Sequence, residues 1–493
     1  MQTIEQQKAH QVLLQATMGF NHNDVTRIID AGSIDNWVDE QVSIWKPSLF
    51  SQQTKIKESH PNKEWTDVHF NIGYTTLLLN HNDILRHRIS YILTQLFVVS
   101  KNNTVLKNNN IRPAFAKYYD NLSSECFDNF RTLLKTMATS PMMGQYLTYL
   151  NNDYAEGVAA DENFARELMQ LFTIGPAKLD MYGNVVLGSD GRPVLSYTQD
   201  DIEQGAKVMT GWTLNSGDWE RPMSEKVGAH NTRSKNILGY EFPEGASADE
   251  DLDRLLDILC THDNLAPFIS KFFIQKMVTS NPSPKYIYRV ASAFRNSDLD
   301  MVVLIKAILN DEEASYTRSD RTNGLIRDPL ITLSHALRAL NVTLKSGKEI
   351  LPNAFSWSDR RFILDGPSVF YHYQPDEAPN DERFEGIAAP EFKLYSWDDV
   401  HHYYNQVSSL AVKLEHDGVD MYMNRPSLST HFYDTENNEK LIEEINKHLF
   451  ASNMSQESKD VVFDFLKSAP RRDGYFRALF IQLLMSPEFM TQG

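Results

Sequence analysis

Four polar residues with side chains suited to catalysis lie close together in residues 161–175, DENFARELMQLFTIG. Glu162 and Arg166 are four residues apart, and so are Asn163 and Glu167, which places each pair on one face of a helix. Carboxylates near an arginine can hold a divalent metal or transfer protons. We therefore predict Glu162, Arg166 and Glu167 as catalytic residues and Asn163 as a substrate-binding residue.

Two later segments supply further candidates for the same site. Histidine is a common general acid or base in enzymes, and we predict that His230 is catalytic. Gln199, Asp200 and Trp212 belong to residues 197–212 and are predicted to bind substrate. A divalent metal would suit these ligands, although the sequence does not identify one. The alternative is a buried hydrogen-bond network that fixes a loop against two helices, with Trp212 in the core.

Two other regions could bind ligands. Asp180, Asn184 and Asp190 offer oxygen ligands for calcium, but their spacing differs from that of an EF-hand loop. Aromatic residues are frequent between 355 and 373 and suit a sugar or peptide chain, with packing beneath a long loop as the alternative. The same pattern continues in Tyr395, Trp397, His401, His402 and Tyr403. Three earlier histidines, His69, His81 and His87, lack the spacing of a metal site on one helix.

Helices must position most of these residues, because apolar side chains recur at helical spacing along most of the chain. In residues 161–175, Phe164, Leu168 and Phe172 form one apolar face, and Gly175 marks the end of the helix. The pattern predicts an all-α fold, a large multi-helix body with a small β-hairpin insertion near 180–196.

The chain is expected to divide weakly at a long irregular loop. We predict an N-terminal helical part over 1–213, the loop over 214–248 and a C-terminal helical part over 249–493, packed as one body. A second irregular segment covers 345–400, and both segments are expected to shape a cleft on one side. Residues 45–64 are polar and interrupted by prolines, which predicts a surface loop.

Composition limits the classes of partner. The 493 residues include 65 acidic and 48 basic side chains, for a net charge of −17. This charge argues against general binding to nucleic acid or to anionic membranes. No apolar stretch is long enough to span a membrane, so no membrane insertion is expected. Cys126 and Cys260 lie in apolar helical contexts, which predicts buried free thiols, although one disulfide between them would suit an oxidising compartment.

Five segments resemble, in order, a bacterial family known as domain of unknown function 1800. Residues 13–20, LLQATMGF, resemble the family's opening LLRRATFG, and residues 161–175 resemble its ENYARELMELFTLG. Residues 197–212 resemble its YTQEDVRELARALTGW. Two shorter matches are HNTRSKNILG at 230–239, in which Asn231 replaces an aspartate, and SPEF at 486–489. In GPSVFYHY at 366–373, tyrosine and histidine replace the family's glycine and tryptophan.

Two functions of different classes are expected, the first from the density of polar residues and the second from the resemblance. One is a metal-dependent or acid–base enzyme with its site around the 161–175 helix. The other is a non-catalytic helical partner or scaffold for a secreted alkaline-phosphatase-like protein, because genes for such proteins often lie beside family members. Family members are often secreted, yet residues 1–15 do not resemble a signal peptide. A periplasmic or secreted location is expected if such a peptide has been removed, and a cytoplasmic one otherwise.

Overall fold

A computed structural model gives the fold. It describes residues 5–58, 64–315, 324–344, 362–380, 382, 385–415, 421–423, 437–468 and 473–492. The described residues are mostly helical, as the sequence predicts. In the N-terminal part the helices are α1 (Gln6–Ala16), α2 (His22–Asp30), α3 (Ile34–Ser43), α4 (Leu49–Glu58), α5 (Asp67–Asn80), α6 (Ile84–Leu96), α7 (Pro113–Glu125), α8 (Phe130–Ala138), α9 (Pro141–Tyr146), α10 (Asn163–Glu167) and α11 (Gln199–Val208).

The C-terminal part continues with further helices. They are α12 (Ala248–Thr261), α13 (Leu265–Met277), α14 (Pro284–Asn296), α15 (Met301–Asn310), α16 (Pro329–Ala339), α17 (Trp397–Glu415), α18 (Asn438–Leu449), α19 (Gln456–Ser468), α20 (Asp473–Leu484) and α21 (Pro487–Met490). A π-helical segment, Leu168–Thr173, extends α10, and 3-10 turns cover Glu312–Ser315 and Pro390–Leu394.

Short antiparallel strand pairs join the loops. The strands are β1 (Trp212–Thr213), β2 (Ser224–Glu225), β3 (Lys235–Ile237), β4 (Tyr240–Phe242), β5 (Leu325–Ile326), β6 (Val342–Leu344), β7 (Met421–Met423) and β8 (Thr491–Gln492). They pair as β1 with β2, β3 with β4, β5 with β8, and β6 with β7. The pair β5 and β8 joins segments that are far apart in the chain.

The predicted hairpin insertion near 180–196 is present. Antiparallel bridges join Ala177 to Leu195, and Leu179 to Val185. A further bridge between Leu187 and Pro193 extends the pairing beyond a single hairpin. The turn chemistry of this stretch explains its form, because the Asp180 side chain accepts hydrogen bonds from two main-chain amides of its own turn. We refer to residues 177–195 as the hairpin.

The core is built around α6, in which every residue is buried. One apolar cluster contains residues between Ala9 and Leu364, with Ala451, and therefore includes both sides of the 214–248 loop. A second cluster packs α16 against α17 to α21. The predicted division of the chain stays a prediction, but no break in the first cluster coincides with it.

The prediction of a loop over 45–64 is wrong, because α4 lies within it. Leu49, Gln53 and Ile56 are buried on one face of α4, which packs against α5 and α7. The start of the helix is capped from elsewhere in the chain, since the Asp120 carboxylate accepts hydrogen bonds from Leu49 N at 2.7 Å and Phe50 N at 3.0 Å. A local sequence pattern does not reveal such a cap.

Both cysteines are free thiols, as predicted, with Cys126 buried and Cys260 partly buried. Burial raises the pKa of each thiol to about 12. Neither thiol therefore has the lowered pKa of a reactive cysteine. Among the helices described, none is both long and apolar enough to cross a membrane.

Candidate functional site

The predicted helix of residues 161–175 changes its winding halfway. α10 is followed by π-helix over Leu168–Thr173, in which Thr173 Oγ1 donates to Leu168 O at 2.6 Å and Ile174 N donates to Met169 O at 3.1 Å. Gly175 then adopts φ +70°, and a Cβ there would lie 2.9 Å from Phe268. π-Helical turns occur often at functional sites, because the wider turn displaces side chains from α-helical positions. We call residues 163–173 the signature helix.

Three predicted site residues meet at the surface beside this helix. Glu162 Oε2 accepts from Arg166 Nη2 at 2.7 Å and from Gln199 Nε2 at 2.9 Å. The Arg166 side chain is 38% exposed and that of Glu162 31% exposed. Solvated pairs of this kind contribute a few tenths of a kcal/mol. The arrangement joins the start of α10 to α11.

The remaining predicted residues of this face lie apart from that network. Asn163 Nδ2 donates to Thr148 Oγ1 at 3.5 Å. Asp200 is exposed and accepts from Gln204 within its own helix. Trp212 is buried in the main core, as the alternative interpretation expected.

His230 belongs to a separate buried network. Its Nε2 lies 3.0 Å from Asp251 Oδ2, and its Nδ1 lies 3.0 Å from Thr210 O. Lys235 Nζ donates to the same Asp251 oxygen at 2.5 Å. Burial acts to raise the pKa of Asp251, but hydrogen bonds from His230 and Lys235 lower it overall. The network fixes the 230–235 loop against α12, which matches the structural alternative for His230.

Glu167 differs from the other predicted catalytic residues because it is buried and incompletely paired. Its side chain has no ion pair within the described part of the chain, and Oε2 has no hydrogen-bond partner there. Burial raises the pKa of this carboxyl, although Arg166 opposes the effect. The carboxyl also acts to raise the pKa values of Tyr146 and Tyr197, which places both phenols near it.

A cleft with a volume of ≈360 Å³ opens beyond Glu167. Gln170 and Leu171, one turn further along the signature helix, form one wall. The opposite walls come from the hairpin, from α13 and from residues 369–376. Most lining side chains are apolar or aromatic, as in typical small-molecule sites. The 214–248 loop was predicted to help shape a cleft, but none of its residues lines this one. The hairpin forms a wall of the cleft instead.

Lys276 of α13 is the charged residue at the inner end of the cleft. Its Nζ lies 4.0 Å from the centre of the Tyr373 ring and 5.8 Å and 5.9 Å from those of Phe272 and Tyr371. Lys276 is buried and forms no ion pair with another described residue. Burial lowers the pKa of its ammonium to about 8, although Glu391 and Asp328 oppose the effect.

Buried carboxyl groups face Lys276 from the inner side. A small neighbouring void is lined by Lys276, Arg88, Asp328, Tyr373 and Glu391, which we call the inner cluster. Burial raises the pKa of Asp328 and of Glu391. Glu391 Oε2 has no hydrogen-bond partner among the described residues. Several ionisable groups are thus held out of water beside one cleft.

Helix ends and short turns position the inner cluster. Asp328 caps α16 by accepting from Leu330 N, and it also accepts from Tyr91 Oη, both at 2.8 Å. Arg88 of the buried helix α6 donates to the main-chain oxygen of Lys276 at 2.6 Å. Glu391 lies in the 3-10 turn Pro390–Leu394. Lys276 and Tyr373 line both the cleft and the inner void, and Lys276 is the charged residue of the two.

Comparison with known proteins places the chain in a family. A family model described as protein of unknown function (DUF1800) matches residues 11–491. The chain belongs to the DUF1800 family. No curated protein and no solved structure shows a significant match. The match agrees with the resemblance found in the sequence.

Sequence reasoning missed Lys276, although a signal was present. Ile269, Phe273 and Lys276 recur at i, i+4 and i+7 on α13, and Ile269 and Phe273 are fully buried. A lysine on such an apolar stripe is expected to be buried. The lysine and the two carboxyl groups come from distant parts of the chain, so spacing alone could not bring them together.

Some of the aromatic residues predicted to bind a ligand line the cleft of this DUF1800 chain. Phe370, Tyr371 and Tyr373 line the cleft, and Tyr371 Oη lies 3.0 Å from Tyr91 Oη. Tyr395 instead donates to Arg327 O at 2.5 Å, in the packing role given as the alternative. Tyr403 is also buried, and its hydroxyl donates to Leu484 O. Trp397 and His401 are exposed, Trp397 by 91%. The His402 ring lies 3.3 Å from the Gln406 side chain. Residues 355–361 lie outside the described residues.

The candidate metal ligands are used for other contacts. Asp180 Oδ1 accepts from Tyr182 N and Asn184 N, and Asp190 Oδ1 accepts from Arg192 N. Across the described ranges, no group of three or more His, Cys, Asp or Glu side chains is arranged to hold a metal. No cofactor is inferred from these contacts.

Histidines predicted to lack a shared metal site also have separate partners. His87 Nδ1 lies 3.0 Å from Tyr119 Oη, and its Nε2 lies 3.4 Å from Asp83 Oδ1. His69 Nδ1 lies 3.1 Å from Thr66 N within its capping box. His81 follows the end of α5 and packs near Trp45.

Proposed function

We propose that this DUF1800 protein is an acid–base enzyme whose active site is the cleft at the end of the signature helix. Lys276 is the proton-transferring residue, and Glu391 is the second ionisable group beside it. The observation that carries the proposal is the convergence of buried Lys276, Asp328 and Glu391 on an apolar cleft of ligand size. Perturbed ionisable groups beside a cleft favour a catalytic site.

The free-energy cost of burying Lys276, Asp328 and Glu391 favours a catalytic role for these residues. Burying an ammonium or a carboxylate is expensive unless close pairing compensates for the lost hydration. Arg338 and Asp24 show such pairing elsewhere, at 2.9 Å with both side chains buried. Lys276 has no equivalent partner among the described residues. Buried charges retained only for folding would be expected to form a close ion pair like that of Arg338 and Asp24.

Proximity to the signature helix supports a role for Glu167 as well. Glu167 precedes by one turn the wall residues Gln170 and Leu171. Burial raises the pKa of its carboxyl, which favours the protonated form that a general acid requires. Glu162, Arg166 and Gln199 are assigned to holding the start of this helix, since they pair with one another at the surface.

The proposal is tested by incubating the purified protein with a small-molecule cell extract and following metabolites by mass spectrometry. We expect the wild type to consume at least one compound at a rate at least about a hundredfold above that of Lys276→Met. Lys306→Met is the matched control, because Lys306 lies on α15 and pairs with Asp39 at 2.6 Å, away from the cleft. Equal metabolite profiles for wild type and Lys276→Met, both folded by circular dichroism, would overturn the proposal.

Within the enzyme hypothesis, metal-dependent catalysis is the alternative to acid–base catalysis by Lys276. Elemental analysis of the purified protein and of Glu167→Ala distinguishes the two. A stoichiometric divalent metal that is lost in Glu167→Ala would move the site to the signature helix and refute the role of Lys276. Equal metal content in both samples would leave the acid–base proposal in place.

A second function, a scaffold for a secreted alkaline-phosphatase-like protein, is favoured by one observation. The hairpin exposes apolar side chains, with Val185 46%, Leu187 60% and Leu195 64% exposed. Exposed apolar patches often mark protein interfaces. We expect co-purification with such a protein to be lost in the double variant Leu187→Ser/Leu195→Ser if this function is correct. Unchanged co-purification, or none with the wild type, would refute it.

A further inference from the structure

We propose that Lys276 forms an imine with an aldehyde or ketone of a predominantly apolar ligand. This inference rests on the proposed function, because it uses the same amine in the same cleft. It adds a covalent step and a substrate class. The geometry that carries it is an amine buried among three rings, at the end of a cleft with mostly apolar walls.

The surroundings of Lys276 favour attack by its nitrogen. A lysine nucleophile must lose its proton, and an apolar pocket promotes that loss. Contact with the Tyr373 ring at 4.0 Å holds Nζ in place without adding a carboxylate that would stabilise the ammonium by direct pairing. Lys271, on the same helix, provides the contrast, because its Nζ pairs with Asp376 at 2.9 Å and remains partly exposed.

The covalent step balances without an added oxidant or reductant. The neutral amine attacks the carbonyl carbon, and one proton passes from the nitrogen to the carbonyl oxygen to give a carbinolamine. The protonated Glu391 carboxyl supplies a second proton to that oxygen, the C–O bond breaks with loss of water, and the nitrogen lone pair forms the C=N bond, so that the product is an iminium ion with one N–H. Glu391, whose buried carboxyl has one oxygen without a partner in the described residues, is placed to exchange the protons of these steps.

Charge also favours the product. The protonated imine carries a positive charge at the former position of the ammonium. Asp328 and Glu391 act on that position, since both stabilise the ammonium form of Lys276. The same carboxyls therefore stabilise the iminium ion, and the cleft does not have to rearrange during the step.

The lining indicates the chemical class of the ligand. Leu171, Val185 and Phe268 present apolar surface along the cleft, and Phe272 and Tyr371 present rings closer to Lys276. A ligand with an aromatic or branched aliphatic body and one terminal carbonyl fits this order. A sugar would leave many hydroxyl groups facing apolar walls, which is unfavourable.

Labelling with 1-phenylbutane-1,3-dione tests the proposal on the full-length protein. This β-diketone condenses with an amine of lowered pKa to give a stable conjugated enaminone that absorbs in the near ultraviolet. We expect one equivalent to be incorporated, peptide mapping to place it on Lys276, and the rate to rise with pH and level off above about pH 8. Lys306→Met should label like the wild type.

Two variants separate the covalent step from folding. Lys276→Met should lose at least about tenfold in labelling rate, and Lys276→Arg, which keeps the charge, should lose it equally. Labelling distributed over surface lysines, or unchanged in either variant, would overturn the proposal. If the wild type is not labelled but metabolite consumption still requires Lys276, the imine is wrong and the acid–base function stands. If neither occurs, both proposals fail.

Discussion

At the scale of single residues, the inner cluster brings three buried ionisable groups together. Lys276, Asp328 and Glu391 are all buried, and burial shifts the pKa of each toward its neutral form. Such residues reduce the stability of a protein and are commonly retained because function requires them. Joint replacement of the lysine and its neighbouring carboxyl should therefore increase stability, as it often does for buried charges.

The stability of the double variant Lys276→Met/Glu391→Gln should differ from that of the wild type in a pH-dependent way. Below about pH 8 both folded and unfolded wild type hold the Lys276 proton, so the folded state carries the full cost of the buried ammonium. Between about pH 8 and 10.5 the unfolded state binds more protons, so wild-type stability rises with pH.

We therefore expect the variant to be more stable at pH 7, by about 1–3 kcal/mol in urea unfolding, and the difference to shrink by pH 10. The double substitution avoids leaving the Glu391 carboxyl without its neighbouring cation. A variant less stable than the wild type at pH 7 would indicate that the cluster is a folding element.

At the scale of elements, some helices begin at caps within their own sequence and others at caps from distant side chains. α2 and α11 begin at local capping boxes, formed by Asn21 with Asp24 and by Thr198 with Asp201. α4 was missed because Asp120, in α7, supplies its cap. The π-helical turn of the signature helix was also missed, since a period of 3.6 residues fits its apolar residues almost as well.

Asp120→Ala should destabilise α4 more than an ordinary cap substitution does. It removes the acceptor for Leu49 N, Phe50 N and the Ser48 hydroxyl. We expect a loss of about 2 kcal/mol in chemical unfolding and faster hydrogen exchange at the first amides of α4. Ser33→Ala, which removes the single side-chain bond capping α3, is the control and should cost about 1 kcal/mol or less. Equal losses would show that the long-range cap adds nothing.

At the scale of the whole molecule, the segment 486–492 closes the structure behind the inner cluster. β8 pairs with β5, which precedes Asp328, and Gln492 Nε2 donates to Met277 O at 2.5 Å, beside Lys276. Arg327 Nη1 donates to Phe489 O at 3.0 Å. The SPEF segment shared with the family thus has a structural role next to the proposed site.

Gln492→Ala should weaken this closure. The buried oxygen of Met277 would lose its side-chain donor, at a cost of about 1–3 kcal/mol in urea unfolding. The rate of diketone labelling at Lys276 should also change, because α13 ends at that oxygen. Thr491→Ala is the control, since the Thr491 hydroxyl donates only to the nearby Pro487 O and is partly exposed. A Gln492→Ala variant as stable as Thr491→Ala would contradict the closing role.

The sequence predicts the helical class, the hairpin and the family, because these depend on local periods, turn residues and ordered motifs. It places Glu167 in a helix whose next turn lines the cleft. It does not identify the inner cluster, since Arg88, Lys276 and Glu391 meet only through tertiary packing. Motif similarity drew attention to His230, whose surroundings are those of a buried structural network.

The composition of the inner cluster determines when the proposed reactivity of Lys276 can arise during synthesis of the chain. Its members lie on α6, on α13, at the start of α16, in the 369–376 segment and in the 3-10 turn that contains Glu391. Long-range contacts of this kind form late in folding, because the intervening chain must first be ordered. The proposed reactivity of Lys276 would therefore arise on the ribosome only after Glu391 has emerged.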